Sequence, residues 1–443
     1  MKEVDTIILG AGISGLTAAH YLNKKEGDFL LIEATDQPGG VIQTKNVGDY
    51  QIEQGPNSIM LNEEVQTIIN EIGIADKVLT AESLEQNRYL YFKGKLTLAK
   101  PGLGILKSGL ITFKSIMAFL KEPFQKPMKV EDESIATFIK RRLNSEILDN
   151  LINPMVSGIY AGDPAKLSVR STFNKLYVME KEYGSLIRAA IKKRKEKKFK
   201  RILTSFTGGL STFTQSIADQ FTDKIWYNTE VISIVGEGDG YKVILSQNNE
   251  NITLKCRKII STISAPAAAK VFTEMAEITK MSLDNIFYAP MLLLYQAYNK
   301  KDIPFSTDGF GFLIRQKEKM PFLGAIWSSA LFPQTAPPDQ LLNTVFVGGT
   351  NNTKVIANPE EQSEIAGKSF ARVMGATETP VFTHHFLKKD AIPQFHLGYY
   401  KLQEAIDVFE QNNSGIYISG NWRGGVAIGD CVSYNKKLVL NNF

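Results

Sequence analysis

Three glycines and one acid near the N-terminus have the spacing of a nucleotide-binding turn. Gly10, Gly12 and Gly15 form a G-x-G-x-x-G pattern, and Glu33 follows 18 residues later. In this pattern the first glycine permits a tight turn, the second lets the backbone approach a pyrophosphate, and the third lets a helix pack on a strand. A carboxylate at this distance accepts hydrogen bonds from ribose hydroxyls and disfavours a 2′-phosphate. The residues therefore predict a dinucleotide site that does not take NADP.

The elements around these residues have the order that such a site needs. Residues 4–9 (VDTIIL) are a β-branched apolar run that ends at the first glycine. Residues 16–22 predict a helix, and residues 29–32 (FLLI) predict a second strand that ends before the acid. The N-terminus of the helix offers free N–H groups and the positive end of its dipole to phosphates. The chain therefore opens with a predicted βαβ unit.

A second pair of glycines favours FAD over NAD as the dinucleotide. Gly39 and Gly40 come soon after the acid, and residues 53–58 (EQGPNS) follow. Enzymes that hold FAD as a resident cofactor often carry a second pair, whereas a simple NAD dehydrogenase usually does not. The alternative interpretation of Gly39 and Gly40 is an ordinary turn, because glycine pairs are common turn signals.

The composition is that of a globular protein with more than one domain. The chain has 443 residues, of which 43% are hydrophobic and 22% charged, and a formal net charge of +5. This length predicts two or three domains, and the mild charge does not indicate a nucleic-acid partner. Cys256 and Cys431 are far apart, which favours a reducing compartment and buried thiols. The four histidines lack metal-ligand spacing, so we predict no metal site.

The sequence gives no sign of a membrane-spanning segment. No signal sequence precedes the first strand, and no run of 18 apolar residues is present. We therefore expect a cytoplasmic protein, or one bound peripherally to the inner face of the cell membrane.

Residues 101–201 predict mostly helix and include two basic features. Lys107, Lys114 and Lys121 recur every seven residues on a predicted helix spanning 102–121. Either this helix buries its apolar face and shows the lysines to water, or it lies in a membrane interface with the lysines toward headgroups. Residues 192–201 (KKRKEKKFKR) form a basic run. This run is either a solvated segment or a contact for anionic headgroups or an acidic substrate.

The C-terminal part predicts a second approach to the cofactor. A strand precedes the glycine-dense segment 420–429 (GNWRGGVAIG), which is followed by the start of a helix. A helix N-terminus after a strand can approach a flavin or a phosphate from the far side. The N- and C-terminal pieces are therefore predicted to meet at one cofactor, in an α/β fold.

Several segments, in order along the whole chain, resemble those of protoporphyrinogen oxidases, a family of FAD-dependent porphyrinogen oxidases related to flavin amine oxidases. They are GAGISGLTAAH, E-x-GP-x-S, NRY, SGIYAGDPAKLSVRSTF, WSSALFP, AIPQF and SGNWRGGVAIGDC. The resemblance implies a Rossmann-like FAD-binding domain (1–85 with 204–270 and 390–443) and a mixed-sheet α+β substrate domain (86–98 with 271–389). It also implies a helical insertion domain (99–203), which is membrane-associated in many members.

The resemblance also assigns site residues. It places substrate contacts at Arg88, Gly162, Phe310, Leu313 and Phe346. It places cofactor contacts at Gly10, Gly12, Ile13, Ser14, Gly15, Glu33, Gly40, Val41, Gly55, Pro56, Asn57, Ser58, Val231, Asn421, Val426, Ala427 and Ile428. It nominates no catalytic residue beyond the flavin.

The reaction that the resemblance implies is the oxidation of protoporphyrinogen IX to protoporphyrin IX. Six electrons leave in three two-electron steps, and dioxygen accepts them to give hydrogen peroxide. The implied setting is heme and porphyrin biosynthesis, with hand-over of the product to a ferrochelatase. Three alternatives stay open: oxidation of coproporphyrinogen III, a flavin amine oxidase or desaturase activity, and a flavin-binding scaffold without turnover. A substrate with four carboxylate arms would favour more cations at the mouth of the site.

Overall fold

A computed structural model describes residues 2–81, 86–100, 103–127, 129–193, 199–272 and 283–443, so residues 194–198 of the basic run lie outside the described residues. The described strands are β1 (Lys2–Leu9), β2 (Phe29–Ile32), β3 (Thr44–Val47), β4 (Tyr50–Glu53), β5 (Ile59–Met60), β6 (Val78–Thr80), β7 (Arg88–Phe92), β8 (Lys95–Leu98), β9 (Leu203–Phe206), β10 (Ile225–Trp226), β11 (Thr229–Glu237), β12 (Gly240–Gln247), β13 (Glu250–Ser261), β14 (Tyr288–Asn299), β15 (Gly311–Ile314), β16 (Gly324–Ile326), β17 (Gln340–Gly348), β18 (Phe382–Pro393) and β19 (Ile416–Ile418).

The described α-helices are α1 (Ile13–Lys24), α2 (Glu63–Glu71), α3 (Leu103–Lys107), α4 (Phe113–Lys121), α5 (Ile135–Arg142), α6 (Ser145–Ile147), α7 (Asn153–Tyr160), α8 (Val169–Thr172), α9 (Asn174–Tyr183), α10 (Leu186–Lys192), α11 (Ser211–Ala218), α12 (Ala265–Val271), α13 (Ser328–Leu331), α14 (Pro359–Met374), α15 (Tyr399–Asn412), α16 (Asn421–Gly424) and α17 (Ile428–Asn442).

The first sheet contains the predicted βαβ unit. Its strand order is β10-β2-β1-β13-β12-β11, and β19 pairs with β13 outside this path. β1 runs parallel to β2 and to β13, and β13 runs parallel to β19. All four residues of β2 are buried, as expected for a parallel strand covered on both faces. N-terminal, middle and C-terminal strands therefore share one sheet, and the predicted Rossmann-like α/β fold is confirmed.

The second sheet is mixed and contains the hairpin formed by β7 and β8. Its order is β18-β14-β17-β16-β15-β7-β8, with β15 parallel to β7 and the other pairs antiparallel. One face packs on α14 through Phe370 and Ala366, which join the buried cluster that contains Leu294 and Val345. Since side chains alternate between the two faces of a strand, Leu293 and Phe346 lie on the opposite face.

The predicted helix over residues 102–121 is broken in the structure. Its first part ends at Lys107 and α4 begins at Phe113, because Gly109 has a left-handed φ of +73°. Ser115 is the residue of α4 that is buried, whereas Phe113 is 72% exposed and Leu120 is 63% exposed. The interpretation in which this helix buries its apolar face therefore holds only in part for α4, where Ile116 and Met117 are half-buried. Among the described residues, the helices lack the combination of length and hydropathy that a membrane crossing requires.

A buried ion cluster fixes the helical segment. The Arg142 side chain is completely buried and forms ion pairs with Glu122 and Glu180. Glu122 also accepts hydrogen bonds from the backbone N–H groups of Leu186 (2.9 Å) and Ile187 (3.2 Å). One carboxylate therefore joins the end of α4, the C-terminal turn of α5 and the first turn of α10.

Candidate active site

The first glycine turn is tightly packed on one side and open on the other. Gly10 has a left-handed φ of +93°, and a Cβ added to Gly15 would lie 1.9 Å from the carbonyl oxygen of Gly10. A Cβ added to Gly12 would instead meet nothing nearer than the Cα of Gly40, at 4.0 Å. Beside this space, Ile13 and Ser14 lie in the first turn of α1, where N–H groups have no helical acceptor.

Glu33 holds this turn and keeps one acceptor position for a ligand. The buried carboxylate accepts hydrogen bonds on Oε2 from the Ala11 backbone N–H (2.7 Å) and on Oε1 from the backbone N–H (2.9 Å) and hydroxyl (2.8 Å) of Thr35. A carboxylate has about four lone-pair positions, so Oε2 retains one. This geometry suits a ribose hydroxyl at the end of β2.

The second glycine pair packs across the first glycine turn. The Gly39 N–H donates to the Ala11 carbonyl (2.8 Å), and a Cβ added to Gly40 would lie 3.2 Å from the Cα of Gly12. Gly55 lies against the next residue along, since its added Cβ would be 1.9 Å from the Val41 carbonyl oxygen. Val41 itself is 41% exposed. Close backbone packing thus brings residues 10–12, 39–41 and 55 together at one edge of the first sheet.

A cavity separates the EQGPNS segment from the second sheet. Its lining combines Asn57 and Ser58 with residues of the second sheet and of the segments beside it. The lining residues are Gln51, Ile52, Glu53, Asn57, Ser58, Ser205, Ile326, Ser328, Leu331, Phe332, Thr335 and Thr344. Asn57 Nδ2 also donates to the Gly55 carbonyl (3.3 Å), and Pro56 lies between these two residues.

Glu53 is a functional candidate that the sequence analysis did not single out. Its carboxylate accepts hydrogen bonds from the Leu210 N–H (2.9 Å) and the Thr44 hydroxyl (2.8 Å). Burial raises the pKa of Glu53 to about 7, although both hydrogen bonds act to lower it. Only the position of Glu53 in the EQGPNS motif could have drawn attention to it, because Leu210 is remote in sequence.

The C-terminal loop reaches the glycine turn through the start of α17. Burial raises the pKa of the Cys431 thiol to about 12, and a hydrogen bond with Ser14 opposes that rise. The predicted contacts nearby differ in exposure: Ala427 is exposed, Asn421 and Val426 are half-buried, and Ile428 is buried.

The neighbours of Asn421 point away from this loop. Trp422 is completely buried and its Nε1 donates to the Ile263 carbonyl (3.0 Å). Arg423 pairs with Asp407 of α15. These two side chains anchor α16. The loop residues that are predicted to contact the cofactor are therefore those on either side of Trp422 and Arg423. The remaining predicted contact, Val231, lies on β11 two residues after Thr229, whose N–H donates to the Glu33 carbonyl (2.9 Å).

Three of the predicted substrate residues, Arg88, Leu313 and Phe346, lie on the face of the second sheet opposite α14. Leu313 and Phe346 each pair with Gly324, and Arg88 pairs with Gly311 two residues before Leu313. Residues in register across neighbouring strands point to one face. The Arg88 guanidinium lies 5.3 Å from the ring centre of Phe310.

This face is turned toward the cofactor residues. The Tyr295 hydroxyl, on the same face, donates to the Glu53 carbonyl (2.7 Å). The arrangement brings an apolar surface, a cation at its edge and the EQGPNS segment together.

The structure brings Gly158, rather than Gly162, against this apolar surface. A Cβ added to Gly158 would lie 2.7 Å from Cδ2 of Leu313. A Cβ added to Gly162 would instead lie 2.5 Å from Oε1 of Gln394, whose Nε2 donates to the Tyr160 carbonyl (2.7 Å). Gly162 therefore packs against Gln394 beside the turn that ends α7. Gly158 lies in the SGIYAGDP motif, but helical geometry was needed to show which glycine faces Leu313.

Fold and site together define an FAD-dependent oxidoreductase. Two crossing glycine turns, a buried acid with one vacant acceptor position and two helix N-termini fit a dinucleotide, and the cofactor is FAD. The family model described as flavin containing amine oxidoreductase matches residues 13–433, and the chain belongs to that family.

Relatives that align with nearly the whole chain are named as two different enzymes. The chain is 27% identical to protoporphyrinogen oxidase 1, chloroplastic, of Spinacia oleracea, over 97% of this chain and 82% of that protein. It is 28% identical to coproporphyrinogen III oxidase of Staphylococcus aureus, over 97% of both chains.

Solved structures share the fold at lower identity. A crystal structure from Exiguobacterium sp. 255-15 superimposes with a TM-score of 0.80 at 20% identity, covering 99% of this chain and 98% of that one. Cyclohexylamine oxidase from Brevibacterium oxydans IH-35A has a TM-score of 0.70 at 17% identity, covering 99% and 98%.

Proposed function

We propose that this protein oxidises a porphyrinogen to the corresponding porphyrin, with FAD as cofactor and dioxygen as acceptor. The observation that carries the proposal is the face of the second sheet opposite α14, where Leu313 and Phe346, together with Phe310, offer apolar contacts beside the Arg88 guanidinium. A porphyrinogen is a large apolar ring with carboxylate arms, so it needs this combination of an apolar clamp and a cation at the edge. The names of the two relatives support the same substrate class.

The residues of this chain bind and orient the reactants. The N-terminal turn of α1 and Glu33 would hold the pyrophosphate and ribose of FAD, and Gly12 and Gly40 would leave room for them. When bound, FAD accepts two electrons and a proton from the substrate as a hydride and passes electrons to dioxygen. Leu313 and Phe346 would exclude water from the ring, and Arg88 would hold one carboxylate arm. Conversion of the substrate removes six hydrogens, and three dioxygen molecules become three of hydrogen peroxide.

The substrate is either protoporphyrinogen IX or coproporphyrinogen III. An amine oxidase or desaturase activity is the second candidate, because the family contains amine oxidoreductases. The test is a paired steady-state assay of the FAD-loaded protein with both porphyrinogens and with benzylamine, reading porphyrin fluorescence and peroxide. We expect porphyrin with three peroxides per turnover. Peroxide from benzylamine alone would contradict the proposal.

We also propose peripheral contact with the inner face of the cell membrane, as part of a cytoplasmic location and product hand-over to a ferrochelatase. Phe113, Leu120 and Phe124 are 72%, 63% and 82% exposed beside Lys114 and Lys121. An exposed apolar group flanked by lysines suits an anionic bilayer. We expect co-sedimentation with vesicles containing phosphatidylglycerol, and loss of it in Leu120→Asp/Phe124→Asp. Equal sedimentation of wild type and variant would contradict this contact.

A further inference from the structure

We propose that Glu53 accepts the proton that a pyrrole N–H of the porphyrinogen releases when the substrate is oxidised. The proton reaches the carboxylate through a water molecule in the cavity between the EQGPNS segment and the second sheet. The inference rests on the proposed function and adds a proton acceptor to it.

The cavity has room for one water molecule and the polar groups to hold it. Its volume is about 20 Å3, and a site for a single water needs about 10–15 Å3 and about two to four polar partners. Glu53, Asn57, Ser328 and Thr344 are among its lining residues and carry a carboxylate, an amide and two hydroxyl groups. A water held by such groups can pass a proton between a substrate and a base that do not touch each other.

The cavity borders the sheet face that carries the proposed substrate contacts. Thr344 and Phe346 are two residues apart on β17, so their side chains lie on one face of the sheet. Ile326 pairs with Thr344 on the neighbouring strand and also lines the cavity. The hydroxyl groups of Thr344 and Ser328 form a hydrogen bond with each other (2.9 Å). A substrate on this face would therefore lie beside the cavity.

Glu53 is fixed beside the same row of the sheet and has acceptor positions to spare. The Tyr295 hydroxyl donates to the Glu53 carbonyl (2.7 Å), and Tyr295 pairs with Thr344 across β14 and β17. The carboxylate accepts one hydrogen bond on each oxygen, from the Leu210 N–H on Oε1 (2.9 Å) and from the Thr44 hydroxyl on Oε2 (2.8 Å). Because a carboxylate has about four acceptor positions, about two of them remain for water.

The surroundings of Glu53 let it exchange a proton near neutral pH. Burial raises its pKa to about 7, and a general base is most effective when its pKa is close to the working pH. Among the described residues, the titratable group that faces it is the phenol of Tyr295, which stays neutral because burial raises its pKa. Lys45 of β3 is exposed and pairs with Ile52, so it lies on the opposite side of the strand pair from Thr44 and Glu53. The neighbouring elements β9 and α11 contain no titratable side chain within their described ranges.

This transfer balances within each two-electron step. A C–H bond of the substrate gives a hydride to FAD, and a pyrrole N–H bond breaks as its proton passes through the water to Glu53. The carboxylate becomes a neutral carboxylic acid. Dioxygen then takes up two electrons and two protons, one from the cofactor and one from Glu53, to form hydrogen peroxide. The carboxylate is thereby restored for the next of the three steps.

The test follows the rate at which each porphyrinogen bleaches the flavin without oxygen, across a series of pH values. In wild type the rate should rise with pH and level off above about pH 7, because only the ionised carboxylate accepts a proton. Glu53→Gln should lower the rate by about a hundredfold and remove this rise, with KM nearly unchanged. Asp49→Asn is the control, because it neutralises an exposed carboxylate on the turn of the same hairpin. It should keep the wild-type rate and pH profile.

Two further measurements separate proton transfer from a structural role of Glu53. Thr44→Val keeps the carboxylate but removes a hydrogen bond that acts to lower its pKa, so the midpoint of the rate profile should move to higher pH. Infrared titration of the FAD-loaded protein without substrate should show a protonated carboxyl band that disappears with the same midpoint in wild type. This band should be absent in Glu53→Gln.

The possible failures are distinguishable. Equal rates in wild type and Glu53→Gln at every pH would overturn the proton acceptor while leaving the proposed function intact. If Glu53→Gln does not fold or does not bind FAD, an unshifted midpoint in Thr44→Val would overturn it instead. No bleaching of the flavin by either porphyrinogen in wild-type protein would overturn the proposed function, and the proton transfer with it.

Discussion

Gly158 lies directly against Leu313, with no side chain between helix α7 and the face of the second sheet opposite α14. A Cβ built on Gly158 would come within 2.7 Å of Cδ2 of Leu313, while the glycine itself is exposed on the helix. Helix and sheet are separate in sequence by more than a hundred residues. Their spacing at this point therefore depends on the absence of one methyl group.

Replacement Gly158→Ala should impair substrate binding without unfolding the protein. Alanine stabilises a helix interior by up to about 1 kcal/mol relative to glycine, and the end of a leucine side chain can rotate away from the added methyl group. We expect an unchanged or slightly higher free energy of unfolding in urea, but a KM for the porphyrinogen raised several-fold by the displaced Leu313. Ser157→Ala, on the preceding residue, is the control. A KM equal to that of wild type would show that this gap does not admit the substrate.

Arg315 links the second sheet to the π-helical turn Leu148–Ile152 that precedes α7. Its Nη1 donates to Oδ1 of Asn150 (2.7 Å), and its guanidinium lies 4.1 Å from the ring centre of Phe92. Arg315→Met should lower the free energy of unfolding by about 3 kcal/mol, because buried polar partners lose their donor.

The matched control for Arg315 is Lys317, two residues away. It pairs with Asp149 (2.6 Å) in the same turn but is 67% exposed. Lys317→Met should change the free energy of unfolding by less than about 1 kcal/mol. An equal loss of unfolding free energy in the two variants, measured with urea, would contradict a stabilising role for the buried Arg315 contact.

Glu53 should make stability fall as the pH rises. Its pKa in the folded protein is about 7, above the ordinary value of 4.5, so the folded state binds the proton more tightly than the unfolded state. Stability therefore decreases between about pH 4.5 and pH 7 and levels off above, by up to about 3 kcal/mol. Urea unfolding across this range should show the decrease in wild type relative to Glu53→Gln. The same dependence of stability on pH in both proteins would mean that folding does not raise the pKa of Glu53.

Alanine substitutions at two glycines of the first turn should have different effects on stability and on FAD content. An added Cβ at Gly12 has 4.0 Å of clearance, whereas one at Gly15 would overlap the Gly10 carbonyl oxygen at 1.9 Å. Gly12→Ala should leave the stability of the apoprotein unchanged and reduce FAD content, because the methyl group enters the space of the pyrophosphate. Gly15→Ala should destabilise the apoprotein itself. Calorimetry of the apoprotein and FAD absorbance separate the two, and equal apoprotein stability would contradict the assignment.

Local patterns were enough to predict the βαβ unit. Residues 4–33 form strand, turn, helix and strand through contacts within 30 residues, and glycine and acid spacing is fixed by that geometry. The hairpin β7–β8 was likewise predictable from its alternating residues and the turn at Lys93 and Gly94. These features depend on neighbours in sequence.

The other features of the fold and the site depend on contacts between residues far apart in the sequence, which local patterns do not predict. Periodicity predicted the lysine stripe but not that Ser115 faces inward, because Asn144 and Glu146 bind its hydroxyl from another helix. The start of α17 could not be placed beside Asn62 from the sequence, because the Asn62–Gly429 contact spans 367 residues. Likewise, the sequence does not show that Gly158, on α7, faces Leu313, whereas Gly162 follows that helix and packs on Gln394.

Anaerobic titration of the FAD-loaded protein with a porphyrinogen tests the central claim most directly. Coproporphyrinogen III and protoporphyrinogen IX would be added separately while the flavin absorbance near 450 nm is followed. The account predicts that the flavin bleaches as porphyrin appears, one flavin reduced for each two electrons, and that air restores the absorbance with formation of peroxide. A flavin that stays oxidised in the presence of either substrate would contradict the claim that this protein oxidises porphyrinogens.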